Sequence, residues 1–151
     1  MGKIINVRAS NDPDMFQMFK SFVHQTEDNN FFVDGNQVLD NPGVTVDFRN
    51  IEHAYEIFIF IGNYWGGWNA TPTFEEMYNV AKHWEEDFKA EIVDIGYDSI
   101  GFKLGKLLAD KEIDMLFSEM EDLNAEPTCR GGFAELRNKI KKELEFSIWW
   151  D

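Results

Sequence analysis

One cysteine and three histidines are all that 151 residues offer to sulfur and imidazole chemistry. Cys129 cannot form an internal disulfide, which excludes a bridge-stabilised secreted scaffold and suits a reducing compartment. His24, His53 and His83 are scattered, with neither a His pair at i, i+4 nor a Cys pair, so no metal site and no cofactor is expected. No Gly-x-Ser-x-Gly elbow marks a nucleophile. No apolar run approaches the roughly 20 residues that a bilayer requires. The segment from Met1 to Arg8 lacks the apolar length of a signal peptide, and Asn6 stands where a myristoylation motif after Gly2 needs Ser or Thr. A cytoplasmic protein without membrane attachment is expected. Basic residues are also scarce: 14 Lys and Arg face 28 Asp and Glu, for a formal net charge of −14 and a pI near 4.5. Such a surface repels nucleic acid and anionic lipid and attracts basic proteins.

What is present is apolar material for a core. Hydrophobic residues make up 44% of the chain and aromatics 15%, which points to one globular domain over 1–151 rather than a disordered segment. Lys3 to Arg8 reads as a short edge strand. Asn11, Asp12 and Pro13 are helix-start residues, and Met15, Phe16, Phe19, Phe22 and Val23 then recur at helical spacing. Asp34-Gly35 predicts a hairpin turn, Asn41-Pro42-Gly43 a second turn, and Val44, Val46 and Phe48 a half-buried strand. The apolar run Ile57 to Ile61 reads as a central strand buried on both faces. Thr73 with Glu76 forms a capping box before a helix carrying Phe74, Met77, Ala81, Trp84 and Phe88 on one face. Ile92 to Ile95 and Ile100 to Leu104 read as a hairpin around Tyr97-Asp98-Ser99. Two more helices, Asp110 to Leu123 and Phe133 to Leu144, precede a terminal strand from Glu145. These elements predict an α+β fold, a two-layer sandwich with an antiparallel-rich sheet. The expected core over 51–151 is ferredoxin-like, in the order β-α-β-β-α-β, with a helix and hairpin added by 1–50.

The loop Tyr64-Trp65-Gly66-Gly67-Trp68-Asn69 invites two readings. Its rings and the Asn69 amide suit a ligand or a protein partner. They equally suit a structural corner, in which glycines allow a tight turn and a tryptophan plugs the core. At the chain end, alternation sends Trp149 and Trp150 to opposite sides of the sheet.

This loop with Pro72, the helix end Trp84-Glu85-Glu86, the segment Ala90 to Val93, Asp98 and the terminal Trp149-Trp150-Asp151 together resemble the bacterial domain of unknown function number 4253. The resemblance covers about the last hundred residues and implies no established activity. Thr71 and the Glu126 to Arg130 segment depart from it, at positions where members often carry cysteine.

Two functional expectations follow. The first is a non-enzymatic binding protein, in its specific form an immunity-type inhibitor that occludes a basic toxin or enzyme. Glu85, Glu86, Asp87, Glu119, Glu121 and Asp122 would steer the partner, and exposed aromatics with Trp149 and Asp151 would contact it. The alternative is a small-molecule or carbohydrate-binding domain using Tyr64, Trp65, Trp68 and Asn69.

Overall fold

The computed structural model describes residues 2–28, 32–38, 41–49, 51–66 and 70–151. Seven strands form one sheet: β1 (Lys3–Arg8), β2 (Phe32–Val38), β3 (Asn41–Phe48), β4 (Ala90–Ile95), β5 (Ser99–Leu104), β6 (Glu126–Pro127) and β7 (Glu145–Trp149). Their spatial order is β2-β3-β1-β4-β5-β7-β6. β1 and β4 run parallel, and the other neighbouring pairs run antiparallel. The helices are α1 (Pro13–Asp28), α2 (Ile57–Phe60), α3 (Phe74–Phe88), α4 (Asp110–Asp122) and α5 (Gly132–Glu143).

The α+β class holds, but the ferredoxin-like core expected over 51–151 lacks its first strand, because Ile57–Phe60 is helical, and the parallel neighbour of β4 is β1 from the N-terminal segment. β1 is also not an edge. It lies between β3 and β4, and its Ile5 and Val7 have no exposed surface. Alternation places the apolar residues of the strands on one side. Ile5 and Val7, Val44 and Val46, Ile100 and Phe102, and Phe146 and Ile148 are all buried. Asn6, Arg8, Lys103, Glu145 and Ser147 fall on the opposite, polar side. There Arg8 Nε donates to both Asp94 oxygens at 2.9 Å, and its Nη2 donates to Ser99 Oγ at 2.6 Å, tying β1, β4 and β5 together.

The chain reverses between Val38 and Asn41, which pair with each other, so Asp34-Gly35 and Asn41-Pro42-Gly43 lie inside strands. The register set by Val44, Val46 and Phe48 facing the core overrides the local turn preference of those residues. Leu39 and Asp40 are outside the described residues.

The largest correction concerns residues 54–61. Ala54–Glu56 forms a 3-10 turn that runs into α2, and Gly62–Tyr64 forms a second 3-10 turn. There is no central strand here. Short apolar runs do not distinguish a strand from a buried helical segment, and two local features favour the helix. Glu56 Oε2 accepts from the Glu52 and His53 amides at 3.0 and 2.9 Å, satisfying donors at the N-terminal end. Gly62, with φ of 58°, follows the run as a helix stop. Ile57, Phe58 and Ile61 turn inward, whereas Ile59 keeps 63% of its surface in water.

Elsewhere the local signals are realised. Thr73 Oγ1 accepts from the Glu76 amide at 3.1 Å at the start of α3. α4 and α5 bury Ile113, Leu116, Met120, Leu136 and Ile140. Arg137 and Lys141 of α5 both reach α4, with Lys141 Nζ 2.5 Å from Asp110 and Arg137 bonded to Asp110 and Asp114. Among the described residues, no helix is long and apolar enough to cross a membrane.

Candidate functional site

The aromatic loop is built into the core. Tyr64 is buried against Phe19 and Phe22 of α1, and its hydroxyl donates to the Arg8 carbonyl of β1. Burial raises its pKa, the nearby Arg8 charge opposes the rise, and Tyr97 adds to it. Trp65 is buried edge-to-face between Phe58 and Trp150, with ring centroids 5.4 and 5.5 Å away, and its Nε1–H donates to the Pro72 carbonyl at 3.0 Å. Trp150 has no exposed surface, and its Nε1–H donates to the Leu123 carbonyl at 2.9 Å. The Gly66 amide donates to Tyr97 O and the Trp150 amide to Asp98 O, so the loop and the chain end are pinned to the same turn. Gly66 makes this possible with φ of 85°, a conformation costly for residues with a side chain. Tyr64 and Trp65 therefore form a structural corner and present no open ring to a ligand. Trp68 and Asn69 lie outside the described residues. Of the terminal pair, Trp150 faces the core, while Trp149 is half-buried on the polar side of the sheet and Asp151 is exposed.

The surface has a stronger organisation around α3 and α4. These two helices carry eleven acidic and two basic residues, a formal −9 of the chain's −14. Part of this charge is matched. Asp110 and Asp114 meet Arg137, Glu112 meets Lys106 at 2.8 Å, and Glu85 meets His53 Nδ1 at 2.7 Å. His83 bridges the helices, with Nδ1 3.2 Å from Asp87 of α3 and Nε2 2.6 Å from Glu119 of α4. Glu75, Glu86, Glu121 and Asp122 have no ion-pair partner among the described residues. The acids expected from sequence to steer a partner are therefore two sets: Glu85, Asp87 and Glu119 hold histidines, and Glu86, Glu121 and Asp122 face water.

Beside this acidic face runs a seam between α3 and residues 53–59. Its N-terminal end is an apolar depression of about 370 Å³ bounded by Phe58, Ile59, Phe74 and Tyr78. Ile59 is 63% and Phe74 46% exposed, so two large apolar side chains stand in water next to each other. Its C-terminal end is a polar depression of about 520 Å³ that includes Tyr55, Glu85, Glu86, Lys89 and Lys106. Tyr55 and Tyr78 meet edge-to-face at 5.1 Å between the two. Burial raises the Tyr55 pKa, and Tyr78 and the Glu85 carboxylate raise it further, so the phenol keeps its proton at neutral pH. Sequence reasoning missed this seam because a strand at 57–61 would have hidden Ile59. The helix-stop glycine at 62 was the signal available.

The fold and surface define a class: an α+β sandwich with one acidic helical face and an apolar seam beside it. The chain belongs to the family described as a domain of unknown function, DUF4253, whose model matches residues 49–151. That match includes the seam, α3, α4 and the corner joining Trp65 to Trp150. β1, α1, β2 and β3 precede it. No curated protein and no solved structure matches the chain.

Proposed function

We propose that this protein is a non-enzymatic protein-binding module, in its specific form an immunity-type inhibitor that covers a basic toxin or enzyme. The observation that carries the reading is the exposed Ile59–Phe74 pair, which bounds one depression together with Glu75 of the acidic α3. Isolated exposed apolar residues are ordinary, but a paired patch in a groove is a common interface core. The acidic field accelerates encounter with a basic surface, and the apolar seam slows dissociation. The partner is a protein and not nucleic acid, since the same field repels phosphate.

Of the rings that the carbohydrate reading uses, Tyr64 and Trp65 are enclosed by core residues, and Trp68 lies outside the described residues. The test is affinity purification of the tagged chain from its native host at low and high ionic strength. It is run beside two variants, Ile59→Asp with Phe74→Asp, and Glu86→Lys with Asp122→Lys. A basic protein retained at low salt, released at high salt and lost from both variants is the expected result. Capture that ignores salt and both variants refutes the proposal.

A further inference from the structure

The chain holds one of its arginines in an arrangement that α3 repeats without the occupant. On α4, Asp114 and Phe117 are three residues apart and share a face of the helix. Arg137 of α5 sits on that face. Its guanidinium bonds to Asp114 and Asp110, and its Cζ stands over the Phe117 ring, 5.3 Å from the centroid. A guanidinium suits both neighbours, offering its N–H edge to a carboxylate and its flat face to a ring. On α3, Glu75 and Tyr78 repeat the spacing, acid first and ring three residues on, which places their Cβ atoms roughly 5–6 Å apart. Both line the depression of about 370 Å³ at the N-terminal end of the seam, with Phe58, Ile59, Phe74 and Asn79. Glu75 is exposed and has no ion-pair partner among the described residues. Among those residues no arginine or lysine lines this depression. The nearest lysine along α3, Lys82, is a turn beyond Tyr78. The polar depression at the other end of the seam differs, since Lys89 and Lys106 line it as well as acids.

We propose that this depression is a socket for one arginine side chain of the protein partner. The inference rests on the protein-binding reading above and names the residue that the seam receives. Ile59 and the Phe74 and Tyr78 rings take the aliphatic stem and the flat face of the guanidinium. The Glu75 carboxylate accepts from its N–H edge, and Asn79, one turn on from Glu75, offers a further acceptor. Ile59 is 63% and Phe74 46% exposed, so the walls of the socket are open to an incoming side chain. Lysine fits less well, because its ammonium is compact and strongly hydrated and can neither lie flat on a ring nor meet a carboxylate with two parallel bonds. A purely apolar side chain leaves Glu75 facing it unpaired, and an acidic one meets Glu75 as a like charge.

Blocked tripeptides, acetyl-Gly-Xaa-Gly-amide, test this on the full chain, with arginine, lysine, citrulline or norleucine as the central residue. Citrulline keeps the planar shape without the charge, and norleucine keeps the stem alone. Each is titrated while the Ile59 δ1 methyl is followed by ¹H–¹³C NMR. Ile59→Val, which lacks that methyl, identifies its peak, and the buried Ile113 and Ile140 serve as references that report the fold of each variant. The expected result is a saturable movement of the Ile59 peak with the arginine peptide and several-fold weaker binding of the other three. Glu75→Gln and Phe74→Ala each weaken the arginine peptide several-fold. Glu86→Gln, which removes the same charge at the other end of the seam, leaves its binding nearly unchanged. Equal binding of the lysine, citrulline or norleucine peptide overturns the proposal. So does an Ile59 peak that no peptide moves, or one that moves alike in Glu75→Gln and the unaltered chain. A basic protein captured by the tagged chain together with an unresponsive Ile59 removes the socket and leaves the protein-binding reading. A responsive Ile59 with no protein captured does the reverse.

Discussion

Truncating Ile57 and Ile59 separately distinguishes a helix at 57–60 from the strand that the apolar run resembles. Ile57 has no exposed surface. Its replacement by alanine removes buried methyl groups and leaves a cavity, at a cost of about 2–5 kcal/mol. Ile59 keeps 63% of its surface in water, so only roughly a third of a full isoleucine burial is at stake. With complete burial worth about 1.5–3 kcal/mol, Ile59→Ala forfeits about 0.5–1 kcal/mol. Alanine's better helix propensity offsets a few tenths of that. The net loss at 59 is therefore several-fold smaller than at 57. Urea unfolding followed by tryptophan fluorescence and by circular dichroism measures both variants, with similar denaturant slopes licensing the comparison. Equal losses at the two positions would refute the helical assignment, since a strand buried on both faces hides both side chains. Confirmation also makes Ile59 a clean probe of the seam, because its loss of binding can then be separated from loss of fold.

Two further outcomes test the corner and the charge pairing. Trp150→Ala is expected to cost about 3–5 kcal/mol by emptying the site against Trp65 and leaving the Leu123 carbonyl without its donor. The half-buried Trp149 costs clearly less, and comparable thermal destabilisation of the two variants would contradict the assignment of faces. On acidification, Asp110 is held below the usual carboxyl range first by its hydrogen bond to Lys141 and then by Arg137, and Glu112 is held low by Lys106 and the Ala109 amide. A carboxylate whose folded pKa is depressed stabilises above its unfolded value, near 4, and that contribution is lost as pH falls through the folded value. Stability measured below about pH 4 should therefore decline less steeply in Asp110→Asn with Glu112→Gln, and an unchanged acid limb would show that these pairs contribute nothing.

Much of the fold was legible wherever periodicity and end signals agreed. α3 follows from Thr73, Glu76 and an apolar stripe, and β4 and β5 from alternation around Tyr97-Asp98-Ser99. In both cases the local preference and the buried face coincide. The acidic face was equally legible, because the charge of α3 and α4 is a property of their composition and helical phase. The corner was half legible: the glycines of the loop announced a turn, but its occupant, Trp150, arrives from 85 residues further along the chain.

The sequence by itself determined the α+β class, the positions of α3, α4, α5 and the terminal strand, and the strongly negative surface, all of which depend on residues near one another. Only the tertiary structure decided three things. It set residues 57–60 as a helix, because the core needed Ile57, Phe58 and Ile61 on one side. It seated β1 between β3 and β4, since strand neighbours are chosen by long-range pairing. It also set His83 of α3 against Glu119 of α4, at 2.6 Å. Their separation along the chain is bridged by helix packing, which no local pattern encodes.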